Sequence, residues 1–247
     1  MQIDRIQAIV RPRNHWESID LGFSMVRQWW KPLYQIWLTF ILPLFLILSL
    51  LFHDSIWIAV IIIWWLKPLY DRIFLHFFSH ALFGEQPGIW QTWNALPRLL
   101  FKSRLLLTLT LWRFDFARSF NLPVWQLEGS RDKAAFQQRM RLLQRNTSST
   151  AVWLTIGCLH FEWLLSFSLF GLVYLMIPSA YTFDLFEAFF REQALWAEMF
   201  RMFSTLFAIS IIEPLYVAGG FALYLNRRTH LEGWDIELAF RRIAKHL

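Results

Sequence analysis

The chain has 247 residues, of which 56% are hydrophobic and 17% are charged, and its formal net charge is +6. Soluble domains are roughly 45–50% apolar and about 25% charged, so this composition excludes a disordered chain and a coiled coil. A single cysteine, Cys158, excludes an internal disulfide. We therefore predict an all-α integral membrane protein that forms one membrane domain over residues 1–247.

Four apolar stretches are long enough to be predicted as transmembrane helices. They cover residues 33–52, 55–70, 150–177 and 199–225. The first contains no charge in 20 residues, which is enough to cross a hydrocarbon layer about 30 Å thick as a helix. The second follows after only two residues, so the first two helices are expected to form a hairpin.

Lysine and arginine are distributed unevenly between these stretches. Five precede the first stretch, none lies in the two-residue link, twelve lie from Lys67 to Arg145, one lies between Pro178 and Glu198, and five follow Leu225. Cytoplasmic loops are enriched in Lys and Arg, so the pattern predicts that both termini and residues 71–149 are cytoplasmic. Orientation in the membrane then explains the basic charge. We expect the lipid bilayer and other membrane or cytoplasmic proteins as partners, not nucleic acid.

Two further helices are predicted from N-terminal capping patterns, over residues 15–31 and 229–245. In each, a capping residue precedes a glutamate by three positions, as Asn14 precedes Glu17 and Thr229 precedes Glu232. Apolar residues at helical spacing make the first helix amphipathic, so we expect it to lie in the inner membrane interface. The second is predicted to be a cytoplasmic helix.

The segment over residues 88–125 is the most difficult to assign. Its apolar centre, Leu105–Trp112, has eight residues, and this length covers only about 12 Å as a helix. We favour interfacial or re-entrant helices, although a hairpin of two further crossings would also preserve the topology. Residues 130–146 are polar and basic, and they are predicted to form a cytoplasmic helix.

Ionisable residues within the apolar stretches are the first candidates for function. Glu162 lies 12 residues past Thr150, and Glu213 lies 13 residues before Asn226, so the two are expected at nearly the same depth in antiparallel helices. Their carboxylates are then able to meet, and Pro214 provides a local break in the helix beside Glu213. His160 and Arg201 complete the intramembrane polar candidates.

Two roles for these acids stay open. In the first, each carboxylate is neutral or pairs with Arg201, Arg113 or the backbone and stabilises helix packing. In the second, the acids handle protons or a substrate. His76 and His80 share a helix face, but no third ligand completes a metal-binding pattern. Because no catalytic motif is recognisable either, we expect no metal, no cofactor and no enzymatic activity.

Two surface features predict contacts with other helices or proteins. Small residues at Ala218, Gly219, Gly220 and Ala222 would permit close helix approach, either within the bundle or with a partner. Five basic residues, with only Asp132 to offset them, predict a partner-binding surface beyond what attraction to anionic lipid explains. They are Arg131, Lys133, Arg139, Arg141 and Arg145.

Several short motifs occur together along nearly the whole chain. They are Ser18–Phe23, Trp64–Arg72, Ala81–Glu85, Leu122–Val124, Leu127–Gly129, His160–Glu162, Glu213–Tyr216 and Leu223–Thr229. Together they resemble an uncharacterised family of bacterial inner-membrane proteins. Members are encoded beside a MoxR-type AAA ATPase, a von Willebrand A-like protein and a transglutaminase-like membrane protein. The resemblance implies a membrane component of a chaperone-like or envelope-maintenance assembly, and it transfers no catalytic residue.

Two functions follow as hypotheses. The first is a non-enzymatic scaffold or accessory component of a membrane-associated assembly. The second is a small transporter or channel-like protein that uses Glu162 and Glu213. A water-filled cavity around these acids would favour transport, whereas dry packing would favour the scaffold.

Overall fold

A computed structural model of the protein describes residues 11–102, 109–110, 113, 115–128, 133–176, 195–234 and 237. Within these ranges the regular structure is entirely helical. The helices are α1 (His15–Gln28), α2 (Trp30–Leu51), α3 (Ile56–Trp65), α4 (Lys67–Ala81), α5 (Ile89–Lys102), α6 (Arg118–Pro123), α7 (Lys133–Gln144), α8 (Ser148–Met176) and α9 (Leu195–Glu232). A π-helical turn over Val124–Glu128 follows α6.

Three of these helices are long and apolar enough to cross a membrane: α2, α8 and α9. The bounds of α2 and α8 agree with the predicted stretches 33–52 and 150–177 to within three residues. The predicted stretch 199–225 is longer in the structure, because α9 continues at both ends as one helix of 38 residues. The chain therefore has the helical architecture of an all-α membrane protein.

The predicted stretch 55–70 is not one continuous helix. It contains α3, which has ten residues, and the start of α4, and Leu66 separates the two helices. Pro68 lies in the first turn of α4 and has no N–H to donate to the carbonyl of Trp64, so the hydrogen-bond ladder of α3 ends there. The break places Lys67 at the start of a new helix.

Helix α9 is the centre of the bundle, and α1, α3, α4, α6 and α8 all pack against it. Its small residues allow the closest of these contacts. A Cβ atom at Gly22 of α1 would lie 2.4 Å from the carbonyl oxygen of Ala218, and one at Gly220 would lie 2.4 Å from the Cβ of Ser119 in α6. The small residues of α9 therefore bring helices of the same chain together, which is one of the two predicted uses.

The two predicted capping patterns have different outcomes. Asn14 caps α1 as predicted, since its side chain accepts a hydrogen bond of 2.7 Å from the N–H of Glu17. Thr229 does not begin a helix, because α9 runs through it to Glu232 and its hydroxyl donates to the carbonyl of Leu225. A helix that is already formed continues through a Thr-x-x-Glu pattern, and α9 ends at Glu232, directly before Gly233, which has a φ of 62°.

The other predicted helices agree with the structure only in part, and residues 130–132 lie outside the described residues. Helix α1 ends at Gln28 and α2 begins at Trp30, so the predicted helix 15–31 contains a break at Trp29. Helix α7 covers Lys133–Gln144 of the predicted 130–146. Within 88–125, α5 packs against α2 and α4 and α6 packs against α9. Most of the apolar centre at 105–112, and residues 235–236 and 238–245 of the predicted C-terminal helix, lie outside the described residues.

The glycine contacts of α9 generate a stability prediction. Gly220→Ala should lower the melting temperature in detergent, because its Cβ has no room against the backbone of Ser119 and overpacking typically costs about 1–3 kcal/mol. Gly157→Ala is the matched control, since nothing lies within 4 Å of its Cβ position in α8. The control should melt at the wild-type temperature or slightly above it. Equal melting of both variants would contradict the close packing.

Candidate functional site

The side chain of Lys67 lies between two acidic side chains in the core of the bundle. Lys67 opens α4, and only 6% of its side chain is exposed. Its Nζ donates a hydrogen bond to Glu162 of α8 and lies 2.9 Å from Oε2 of Glu213 in α9. The two carboxylates thus approach each other as the sequence predicted, but they do so on either side of an ammonium group.

A second cation completes this arrangement. Arg118 opens α6, and its Nε lies 2.7 Å from Oδ2 of Asp71, a fully buried residue of α4. Its Nη2 lies 3.5 Å from Oε1 of Glu213, so Glu213 is close to both cations. We call these five residues the charge cluster: Lys67, Asp71, Arg118, Glu162 and Glu213. It joins α4, α6, α8 and α9.

A third cation, Arg113, binds the broken end of α3. Its Nη1 donates to the carbonyl of Trp65 at 2.8 Å, and its Nη2 donates to the carbonyl of Trp64 at 2.7 Å. In a continuous helix these two carbonyls would accept from the N–H groups of residues 68 and 69. Pro68 has no N–H, and the N–H of Leu69 bonds instead to the carbonyl of Leu66. The guanidinium also lies 3.8 Å from the ring centre of Trp64.

Pro214 frees a carbonyl in α9 in the same way. Because Pro214 cannot donate to the carbonyl of Ser210, that oxygen is available, and the hydroxyl of Tyr34 in α2 donates to it at 2.9 Å. The indole of Trp37 donates to the hydroxyl of Ser210 at 2.8 Å. The helix remains continuous through Pro214, and its missing hydrogen bond attaches α2 to α9 one turn from Glu213.

A cavity of about 190 Å³ borders the charge cluster. Glu162 and Glu213 both line it, together with Lys67, Arg118 and Arg113. The remaining lining residues are Trp64, Asp115, Phe116, Thr155, Cys158, Leu159, Ile212 and Tyr216. The site thus combines a group of paired charges with a largely apolar wall, and it contains the single cysteine of the chain.

The structure separates the predicted intramembrane candidates into two groups. Glu162 and Glu213 belong to the charge cluster. His160 is exposed and its Nδ1 lies 3.2 Å from the carbonyl of Ile156 in its own helix, while Arg201 does not line the cavity. Sequence reasoning missed Lys67, which it counted only among the basic residues that indicate orientation. Its position directly before Pro68, where a helix begins, was the available signal.

The two histidines of α4 lie together. The rings of His76 and His80 are 4.3 Å apart, and Nδ1 of His80 lies 2.8 Å from the carbonyl of His76. Burial, and secondarily His80, lower the pKa of His76 to about 4, so this ring is neutral at physiological pH. Among the described residues, no group of three His, Cys, Asp or Glu side chains is arranged to hold a metal ion.

The predicted partner-binding arginines differ in what they contact. Arg139 binds two acids of its own chain, with its Nε 3.1 Å from Glu128 and its Nη2 hydrogen-bonded to Glu232. The hydrogen bond to Glu128, and then the one to Glu232, raise the pKa of Arg139 above its ordinary value. Arg141 and Arg145 are exposed. Arg131 and the side chain of Lys133 lie outside the described residues.

Fold and site together describe a helical protein with three helices suited to crossing a membrane and a group of paired charges in its core. Comparison with known protein families, curated proteins and solved structures finds no match for this chain.

The charge cluster predicts that removing one of its charges destabilises the protein more than removing three of them together. Lys67→Met leaves two buried carboxylates without their ammonium, and breaking a buried ion pair costs about 3–5 kcal/mol. Combining it with Glu162→Gln and Glu213→Gln removes the unpaired charges, so the triple variant should recover most of the melting temperature in detergent. A triple variant that melts as low as Lys67→Met would contradict this assignment.

Proposed function

We propose that this protein is a non-enzymatic scaffold in the bacterial inner membrane. The observation that carries the proposal is the charge cluster. Its acids lie against cations from other helices, and its contacts connect α4, α6, α8 and α9. Buried charges in this arrangement hold helices in one relative position, which suits a membrane component on which other proteins assemble.

The proposed topology has four crossings, with both termini and the connection 71–149 on the cytoplasmic side, from which parts of that connection enter the bundle. Helix α3 and the start of α4 form the second crossing, although Leu66 interrupts it. The Lys and Arg distribution supports this orientation, because the segments with many basic residues alternate with those that have few or none.

We propose further that residues 88–125 enter the bundle without crossing the membrane. Three contacts support this. Arg118 lies beside Glu213 near the middle of α9, the N–H of Ser119 donates to the hydroxyl of Tyr216, and the hydroxyl of Tyr224 donates to Glu128. The segment from Arg118 to Glu128 thus runs along α9 from the middle of that helix towards its C-terminal end. A re-entrant segment that returns to the cytoplasmic side would produce this order of contacts.

The proposed partners are proteins on the cytoplasmic side. The family resemblance points to a MoxR-type ATPase system with its transglutaminase-like membrane protein. Arg141 and Arg145 support a docking surface there, because their side chains are exposed on and just after α7, whereas Arg139 is occupied by Glu128 and Glu232.

The alternative function is a small transporter or channel-like protein that uses Glu162 and Glu213. The cavity beside these two acids is the observation that favours it. The triple variant described above separates the two functions. Both functions predict that co-purifying proteins remain when Lys67, Glu162 and Glu213 are replaced, so the readout is uptake, which only a transporter should lose.

Cysteine labelling tests the topology. In a Cys158→Ser background, single cysteines at Asp54 and Asp184 should react with an impermeant maleimide added outside spheroplasts, because both positions follow or precede the outer ends of crossings. Cysteines at Ser130 and His246 should react only after the membrane is permeabilised. External labelling at Ser130 would contradict the proposed orientation.

Charge reversal tests the docking surface. Arg141→Glu combined with Arg145→Glu should release co-purifying proteins from native membranes in mild detergent, without changing the melting temperature, since both side chains are exposed. Arg139→Gln is the matched control. It removes contacts within the chain, so it should lower the melting temperature and retain partners wherever the protein stays folded. If the double variant keeps every partner, attraction to lipid is sufficient to explain these charges.

A further inference from the structure

The exposed side chains of α2 and α8 change character along each helix. Near the start of α2, Lys31 and Gln35 are exposed, whereas every exposed residue after Gln35 is apolar. These residues are Leu38, Leu42, Pro43, Leu46, Ile47, Leu50 and Leu51. On α8, the exposed residues from Phe161 to Met176 are apolar except Ser168, whose hydroxyl donates to the carbonyl of Leu165 in the same helix. Both helices therefore present an apolar surface towards one end of the bundle.

Helices α3 and α9 extend this apolar surface. The exposed residues of α3 are Trp57, Ile61, Trp64 and Trp65. Those in the N-terminal half of α9 are Leu195, Trp196, Phe203 and Phe207, whereas no residue from Ala208 to Thr229, a range that the structure describes in full, is exposed. We call the exposed surface of residues 38–51, 56–65, 161–176 and 195–207 the apolar band.

The apolar band ends at the level of the charge cluster. On α2 it ends beside Trp37, whose indole donates to the hydroxyl of Ser210, about one turn from Glu213. On α8 it ends at the residue before Glu162, and α3 ends two residues before Lys67. Because Lys67 contacts both Glu162 and Glu213, these helices leave the band at one common level.

Beyond this level, the C-terminal half of α9 is covered by other helices. Helix α1 runs antiparallel to it, since the N–H of Arg13 donates to Asn226 at 2.9 Å and Gly22 lies against Ala218. Three of the four exposed residues of α1 are polar. They are Asp20, Arg27 and Gln28, and the fourth is Trp16. A polar outer face is suited to water and not to acyl chains. A helix that runs alongside α9 also does not lie flat in the membrane interface, which is the position that its sequence predicted.

We propose that, among the described residues, the apolar band is the surface that the acyl chains of the bilayer cover, and that the charge cluster lies at the boundary of the hydrocarbon layer. The C-terminal half of α9 then lies outside that layer, together with α1 and α4. This inference rests on the proposed topology only for the side of the membrane, which is the cytoplasmic one.

The cost of charge in a membrane favours this placement. A charged side chain is most costly at the bilayer centre and much less costly near the interface, so the charge cluster is less costly at the boundary than in the middle. The apolar band is about 20 Å long on α2 and on α8, at 1.5 Å per residue. Bilayers adapt to an apolar surface of this length by thinning locally. Arg201, which is half-buried near the start of α9, has a side chain long enough to extend towards the outer headgroups.

Spin labels on α8 measure the position of the boundary. In a Cys158→Ser background, His160→Cys and Leu172→Cys each carry a nitroxide at an exposed position, and the protein is placed in lipid nanodiscs. Power saturation in electron paramagnetic resonance then compares collisions with oxygen, which concentrates in hydrocarbon, and with a water-soluble nickel chelate. The ratio of oxygen to nickel accessibility should be severalfold higher at Leu172 than at His160. If Glu162 and Glu213 lay near the bilayer centre, this order would be reversed.

Two reference positions calibrate the comparison. Leu46→Cys lies in the apolar band on α2 and should give a high ratio, and Asp20→Cys on α1 should give a low one. Phe203→Cys repeats the comparison on α9 and replaces Leu172→Cys if that variant does not fold. A ratio at His160 that equals or exceeds the ratios at Leu172 and Phe203 would overturn the proposal, and so would a ratio at Asp20 as high as that at Leu46.

The outcome does not depend on orientation, because both collision reagents reach both faces of a nanodisc. External labelling of a cysteine at Ser130 would contradict the proposed topology and would move the boundary to the other side of the membrane, yet the order of the ratios along α8 would be unchanged. Failure of the topology is therefore distinguishable from failure of this inference.

Discussion

The ammonium of Lys67 is the point on which the rest of the bundle depends. It lies between Glu162 of α8 and Glu213 of α9, and it is supplied by the first residue of α4. Without this cation, two carboxylates in a largely apolar core would repel each other and Glu162 would lack its partner. With it, three helices have one favourable relative position. Arg118 adds α6 by contacting Glu213 and Asp71, so a single group of charges sets the mutual arrangement of four helices.

Two prolines contribute to this arrangement, because each lacks an N–H and leaves a backbone carbonyl without its donor in the helix. Pro68 separates α3 from α4 and leaves the carbonyls of Trp64 and Trp65 to Arg113. Pro214 leaves the carbonyl of Ser210 to Tyr34. In both places a side chain from a distant segment replaces a bond that the helix cannot make itself. The local breaks thereby become tertiary contacts, and both lie within one or two turns of the charge cluster.

The basic charge of the chain has more than one use. The distribution of Lys and Arg along the sequence is the one that the proposed orientation in a membrane would produce, yet Lys67, Arg113, Arg118 and Arg139 each have partners within the chain. The number of basic residues in a segment therefore does not show how many of their side chains are exposed. Among the described residues, Arg141 and Arg145 are examples of cations whose side chains are exposed.

The sequence by itself determined the helical class, the bounds of α2 and α8 to within three residues, the cap of α1 by Asn14, and the approach of Glu162 to Glu213. These properties follow from hydropathy, capping and axial rise, which are local and periodic. Only the tertiary structure decided that Lys67 joins the two acids, that Arg118 reaches Asp71, and that α9 continues through Thr229. A cation before a proline suits a membrane interface and a buried ion pair equally well, and the choice depends on which helices pack around it.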